Sequence, residues 1–295
     1  MNDFDVVIVN YRSATHTFAC VESVHRVAMR DGISARVIVV NNADDAGLIE
    51  AGVEKAGGAT IIHSSTNVGF GVASNLGAQR GDAPLVFFLN PDARLEAGSL
   101  RAIKDFLTNT AHAHVGIVGP AIHDDRGQLT RSSSRIPSAF DLMLRSMGAH
   151  VLFPRRGYPY LPLADHKKSV AVGQVMGAAL VIRRSLFTAL GGFDPAFFLY
   201  YEDVDLCARA ATAGFSCYYL AEAHAIHIGR ASSAQDPGAT LALHLRSRIL
   251  YARKHFGGGG AIILSAVCRF IELPLRFLRG NLRSVIAAYR QLPWA

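Results

Sequence analysis

Cysteine is scarce and scattered in this chain: four in 295 residues, at Cys20, Cys207, Cys217 and Cys268. No C-x-x-C pair exists, which excludes the common structural zinc modules and leaves buried thiols in a reducing compartment. No uninterrupted apolar run reaches the ~18 residues of a spanning helix, so no membrane-crossing segment is expected. Charged residues are few, at 18%, while half of the residues are hydrophobic, which supports a sizeable core and argues against disorder. Acidic residues are outnumbered 23 to 30 by basic ones, for a net charge of +7. There is no dense Lys/Arg stripe and no nucleic-acid reader motif, so nucleic acid is not an expected partner. The positive balance suits phosphates of nucleotides or lipids, or simply a soluble basic enzyme. The chain starts Met-Asn-Asp-Phe-Asp, with no basic n-region or cleavage site, so a cytoplasmic location is expected.

Apolar runs and turn residues alternate through the first half. Strands are predicted at 4–10, 36–41, 59–63 and 86–89, with a helix at 15–30. Strands alternating with helices mean βαβ units and a largely parallel sheet. Residues 123–170 are polar and read as a long functional loop. The pattern resumes at 170–182, followed by a glycine turn at 191–195, a helix over 203–213 and a strand at 216–220. A basic amphipathic helix is predicted over 240–256. Four glycines at 257–260 read as a hinge before a last segment, 261–292, that mixes aliphatic residues with arginine.

Four constellations carry chemistry. Residues 86–92, Val-Phe-Phe-Leu-Asn-Pro-Asp, bring a greasy strand to an abrupt polar stop. Ligands of open α/β sheets sit beyond such strand ends, and a carboxylate there suits a hard divalent cation on a substrate phosphate. Taken alone, Asp92 equally suits a helix N-cap. Asn67-Val68-Gly69-Phe70-Gly71, followed by Asn75 and Gly77, lets backbone approach a phosphate or sugar, or is a plain turn. Its spacing fails the dinucleotide fingerprint at residue 74, which argues against an NAD-type Rossmann enzyme. Tyr200-Tyr201-Glu202-Asp203-Val204-Asp205 sets acids at a helix start behind an aromatic run, where carboxyl pKa values rise and general bases arise. Asp205 and Arg209, at i and i+4, are expected as surface support. Of His224 and His227, the latter, followed by Gly229, Arg230 and Ser232, is the more suggestive ligand.

In this order the motifs resemble family 2 glycosyltransferases with a GT-A fold, in their bacterial rhamnosyltransferase-like branch. The matching stretches are Val-Ile-Val-Asn-Tyr at 7–11, Val-Val-Asn-Asn at 39–42 and Asn-Val-Gly-Phe-Gly-Val-Ala-Ser-Asn at 67–75. They continue with Leu-Asn-Pro-Asp at 89–92, Gly-Gly-Phe-Asp at 191–194, Phe-Leu-Tyr-Tyr-Glu-Asp-Val-Asp-Leu at 198–206 and His-Ile-Gly-Arg-Ala-Ser at 227–232. Together they span roughly residues 4–256.

The resemblance implies a Rossmann-like, mostly parallel α/β sheet flanked by helices. It divides the chain into a catalytic domain over 1–256, with an acceptor-side region at 123–170, and a helical tail over 257–295. It implies an inverting, metal-dependent transferase building a cell-surface polysaccharide such as cell wall or O-antigen. The donor would be a nucleotide-diphospho-sugar, with dTDP-rhamnose favoured, and the acceptor a glycan or polyprenyl-linked hydroxyl. A UDP donor of galactofuranose or glucose stays an alternative, as does a non-catalytic nucleotide- or sugar-binding module.

By the same resemblance Asp203 is the base, with Glu202 beside it. Asp92 and His227 hold Mg2+ or Mn2+, and Asn90 stands where the first acid of a D-x-D would be. Val9, Asn10, Tyr11, Asn41 and Asn42 match the base and ribose pocket, while Asn67, Gly69, Phe70 and Asn75 line the nucleotide-sugar site. Asn41 stands where many relatives have Asp. Arg131 and Arg135, with Arg155 and Arg156, are candidates for an acceptor phosphate. The tail, 261–295, reads as an interfacial helix that places the enzyme on the inner face of the plasma membrane. Packing on the catalytic domain, or on a second copy in a homodimer, is the alternative. Deleting 261–295 is expected to spare activity and weaken liposome binding.

Overall fold

Phe4-Asp-Val-Val-Ile-Val-Asn is apolar toward both sides, as a strand inside a parallel sheet must be. It forms β1 (Phe4–Asn10), buried at every position. Its one charge, Asp5, is neutralised by Arg184 at 2.6 Å and Arg36 at 3.2 Å. The computed structural model describes residues 2–43, 45–149, 165–229 and 237–278, with 285, 286, 288 and 290 beyond them. Helix α1 (Ala14–Asp31), β2 (Ala35–Asn41), α2 (Ala46–Lys55), β3 (Thr60–His63), α3 (Phe70–Ala78) and β4 (Leu85–Leu89) complete the first, parallel half. Then follow β5 (Ala93–Leu95), α4 (Ser99–Thr108), β6 (Val115–His123), β7 (Ser133–Ser134), α5 (Ala139–Ser146), β8 (Val170–Val172), β9 (Gln174–Val175), β10 (Ala179–Arg183), α6 (Arg184–Ala189), α7 (Glu202–Thr212), β11 (Ser216–His227), α8 (Pro237–Val267) and α9 (Leu273–Leu278).

The sheet runs β3-β2-β1-β4-β10-β6-β11-β5, with β8 also on β11. Strands β3, β2, β1 and β4 are parallel, and β10 runs against its neighbours β4 and β6. Register fixes what meets at the exit edge. Asn10 pairs with Asn41, Ile8 with Leu89, and Leu89 with Ala179. The ends of three parallel strands and the start of β10 therefore share one rim. One apolar cluster backs the sheet under α1 and α4, and a second lies under α3 and α7.

Where the fold departs from the sequence reading, the reasons are local. Asp92 caps no helix, because Ala93–Leu95 turns straight into a strand that pairs with β11. Strand β11 runs to His227 rather than stopping at 220, since β5 and β6 both pair along it. Within 123–170, residues 139–146 form α5 behind a capping box of Ser138 and Asp141. Asp205 is not a surface acid: it is fully buried and paired with Arg209, Lys254 and His255.

At the expected hinge, only Gly257 leaves helical geometry (φ 79°, ψ 174°), and α8 continues to Val267. A third cluster joins Leu142, Phe197, Tyr201 and Val204 to Leu245, Tyr251, Leu264, Cys268 and Leu273, so packing runs across the glycines. Buried Arg248 pairs with Glu272 beneath it. The tail through Leu273 is thus part of the core. Removing it would open that core, contrary to the expected tolerance of a deletion. Among the described residues no helix is long and apolar enough to cross a membrane.

Candidate active site

A cavity of about 370 Å³ opens at the sheet's exit edge. Of the sequence-predicted residues, it brings together Phe70, Asn90, Glu202, Asp203 and His227. Strand pairing explains His227: it sits opposite Ala93, so its ring meets Asp92, with Nε2 3.1 Å from Oδ1. The Asn90 amide lies 3.5 Å from the same nitrogen. Asp92 and His227 are both largely shielded from solvent, at 8% and 18% side-chain exposure. A carboxylate, an imidazole and an amide carbonyl form a mixed oxygen–nitrogen set suited to a divalent cation. Such a cation would sit where Asp92 and His227 now face each other. Burial, together with the negative charge of Asp92, holds the nearby Cys20 thiol protonated.

Across the cavity, Asp203 is held by two backbone amides at 2.8 Å, those of Gly177 and Val204. Gly177 leaves room for the approach: a Cβ there would lie 3.2 Å from Oδ2 of Asp203, a tight contact. Burial raises the pKa of Asp203 against those amides. Glu202 is raised well above its usual range, first by burial and then by the charge of Asp203. Its Oε2 is buried without a hydrogen-bond partner. The proton of the pair therefore rests on Glu202, while the amides favour the anion of Asp203. Tyr200 and Tyr201, just before, occupy the left-handed region at φ 70° and 67°. Non-glycine residues there store strain of a kind that clusters at functional sites.

The residues expected on the nucleotide side form a polar lattice along the adjoining rim. Asn10 donates to Asn41 at 2.8 Å, and its carbonyl accepts from Ser13 and Thr17. Asn41 answers as an Asp would through its carbonyl but leaves its buried Nδ2 without a partner. Asn42 donates to Asn67 at 2.8 Å and accepts from Val68 N–H. Gly69 (φ 84°) lets Phe70 N–H reach the Phe198 carbonyl, where a Cβ would come within 2.4 Å of that oxygen. Val9 is buried in β1, and the Arg12 guanidinium lies over the Tyr11 ring at 5.3 Å. Asn75 is spent elsewhere: its amide bonds both Phe193 N–H and Phe193 carbonyl, locking α3 to the 191–194 turn.

The expected acceptor arginines fare differently. Arg135 grips Asp141 at the start of α5, at 2.6 Å through one nitrogen, and neither it nor the exposed Arg131 lines the cavity. Arg155 and Arg156 lie outside the described residues. The arginine on the wall is Arg145, one α5 turn from Asp141 and unforeseen in the sequence. His244, Ser134 and Gln174 also line the cavity. Burial and the charges of Arg248, Arg145 and Arg276 push His244 down to about 3, so its ring is neutral. The Ser138-x-x-Asp141 capping signature was the available sign that this segment is helical.

A model for "Glycosyltransferase like family 2" matches residues 2–248. The chain belongs to that family. The N-acetylglucosaminyl-diphospho-decaprenol L-rhamnosyltransferase of Mycobacterium tuberculosis is 30% identical to this glycosyltransferase over 296 residues, covering 94% of this chain and 89% of the relative. Among solved structures, GalNAc-T7 with UDP, GalNAc and Mn2+ superposes with a TM-score of 0.62 at 15% identity. That match covers 86% of this chain but only 48% of the GalNAc-T7 chain. The mannosyltransferase PcManGT from Pyrobaculum calidifontis, in complex with GDP-Man and Mn2+, gives a TM-score of 0.57 at 15% identity over 99% of this chain and 87% of its own. These likenesses establish the GT-A fold of the transferase.

Proposed function

We propose that this glycosyltransferase is an inverting, divalent-cation-dependent rhamnosyltransferase, moving rhamnose from dTDP-rhamnose to a hydroxyl of a polyprenyl-diphosphate-linked glycan. The observation that carries it is that one cavity is lined by an amide-held carboxylate, Asp203, and by Asn90 and His227, the latter bonded to Asp92. The nature of the mycobacterial relative supports the choice of sugar and acceptor.

In this reading the acceptor hydroxyl gives its proton to Asp203 as its oxygen forms the bond to the anomeric carbon. The bond from that carbon to the diphosphate oxygen breaks on the opposite face, so configuration inverts and no enzyme-bound sugar is needed. Protonated Glu202 beside Asp203 avoids a second buried negative charge. Asp92 and His227, with Asn90, would hold Mg2+ or Mn2+. When bound, that ion would neutralise the departing nucleoside diphosphate. Asn10, Asn41, Asn42 and Asn67 form the rim against which base and ribose would lie, and Arg145 on the cavity wall is, among the described residues, the cation placed for the acceptor diphosphate.

Exposed Ile262, Ile263, Phe270, Phe277 and Leu278, with Arg269 and Arg276 among them, support a peripheral position on the inner face of an anionic membrane. The test of the reaction is a donor panel of dTDP-rhamnose, UDP-glucose and UDP-galactofuranose, with and without Mn2+, against a polyprenyl-diphosphate-linked acceptor. Metal-dependent transfer from dTDP-rhamnose, abolished in Asp203→Asn while calorimetric donor binding persists, is expected. Preference for a UDP-sugar would overturn the sugar assignment. Wild-type turnover in Asp203→Asn would remove Asp203 as the base.

A further inference from the structure

Three strands converge a second time, on the reverse of the sheet edge that carries His227. Glu96, His123 and His224 offer ligand atoms that all lie within 4.8 Å of one another. Register produces this meeting. His123 is opposite Ile226 on β11, so it shares a sheet face with His224 two residues back. Glu96 follows β5, where Leu95 pairs with Ala225, and its N–H bonds the His224 carbonyl at 3.1 Å. His224 and His227 are three residues apart on one strand, hence on opposite faces and roughly 10 Å apart along it.

The placement of His224 depends on an irregularity. Pairing of β11 with β6 jumps from Leu220↔Pro120 to His224↔Ala121. Three residues of β11 thus face no partner, and an odd insertion reverses which face the following side chains present. At its exit the backbone is pinned: Ser99 Oγ donates to the His224 carbonyl and accepts its N–H, both at 2.9 Å. His123 is fixed as well, at the mouth of a hairpin where it bridges Leu129 and the Asp124 carboxylate accepts two backbone amides. Its Nδ1 is buried with no hydrogen-bond partner, a polar atom that the protein itself leaves unmet. The two rings lie with centroids 5.4 Å apart and tilted by 35°, not stacked.

We infer that Glu96, His123 and His224 form a second cation site, selective for zinc-like ions over Mg2+ or Mn2+. Two imidazoles and one carboxylate are a borderline-soft set, unlike the oxygen-rich sets that magnesium prefers. Tetrahedral ligands at ~2.1 Å from zinc sit ~3.4 Å apart, so closing the site from separations of up to 4.8 Å takes small side-chain rotations, the exposed Glu96 being the freest of the three. A bound ion would tie β5, β6 and β11 together behind the strand ends that carry Asp92 and His227. Its role would be to stiffen the donor site rather than to touch substrate.

The test uses the full chain carrying Asp92→Asn and His227→Ala, stripped of metal, so that the front site contributes nothing. Titration with Zn2+ by calorimetry, and with Co2+ by its visible absorption, is expected to give one equivalent. Adding His123→Ala or His224→Ala should weaken it roughly 100-fold, and Glu96→Gln by roughly tenfold. Zinc X-ray absorption of the loaded parent chain should show two imidazole ligands, which guards against variants that misfold. No binding in the parent, binding that survives loss of both histidines, or a spectrum without imidazole would each overturn the site.

Discussion

A carboxylate serves as a base only if its anion stays available once water has been stripped away. Asp203 meets that condition through the Gly177 and Val204 amides, whereas Glu202 has a bare oxygen. Three expectations follow at this scale. Gly177→Ala puts a methyl 3.2 Å from the Asp203 carboxylate, so it should lower kcat by roughly 100-fold with little change in donor affinity, measured by steady-state kinetics. Because Asp203 must be ionised to act and its pKa is raised, kcat/KM should fall with pH along a limb above the ordinary aspartate value of 3.8. A limb at or below that value would contradict the assignment. Glu202 has a folded pKa above its unfolded one, so its contribution is favourable in acid and is lost as pH rises past the ordinary 4.5. Glu202→Gln should therefore gain stability relative to wild type between pH 5 and 8 in urea unfolding, by about 1.4 kcal/mol for each unit of elevation. The acids themselves were legible in sequence, since Glu202 and Asp203 follow an aromatic wall. The amide of Gly177 was not, because it comes from a strand entrance 26 residues away.

At the scale of elements, legibility followed the source of the order. Strands β1 and β4 are specified by their own apolar runs, and the sequence places them within a residue of their observed ends. Helix α5 is specified by a short capping box and by Arg135 on Asp141, signals that a polar, proline-bearing segment hides. The burial of Asp205 is hidden from the sequence for a related reason. An acid at i with arginine at i+4 looks like a solvated helix face, but nothing local announces that α8 will bring Lys254 and His255 over it. Asp205 is thus the clasp between α7 and α8. Removing it leaves the Arg209 guanidinium without its carboxylate and His255 without its hydrogen-bond partner, while Lys254 keeps Asp194 at 2.6 Å. Asp205→Ala should cost about 3 kcal/mol or more in denaturant unfolding and expose α8 amides to hydrogen exchange. A loss below ~1 kcal/mol would show the pairs to be ordinary surface contacts.

For the whole molecule, the tail has one face in the core and one exposed. Leu264, Cys268 and Leu273 face inward, and Glu272 neutralises Arg248, whose side chain is 1% exposed. On the other face, Phe270 is 71% exposed and Leu278 79%, larger apolar exposure than a solvated helix needs. Truncation before residue 261 would remove both faces at once, leaving an unpaired buried guanidinium along with an open core, and should give an unstable protein rather than a soluble enzyme. The membrane question is instead answered on the surface. The double variant Phe270→Ser/Leu278→Ser leaves Arg248, Glu272 and the inner face intact, so it should keep the wild-type unfolding midpoint and transfer to a water-soluble acceptor. Its sedimentation with phosphatidylglycerol vesicles should fall by roughly tenfold or more, as expected when two apolar side chains are withdrawn from an interface. Binding by the wild type should also weaken with salt, because Arg269 lies beside Phe270 and would meet anionic headgroups, whereas Arg276 is held by Glu272 at 2.9 Å. Vesicle binding equal in the variant and the parent would instead assign the exposed face to another partner, and a second copy of the chain, visible as a dimer in sedimentation velocity, would be the next to seek.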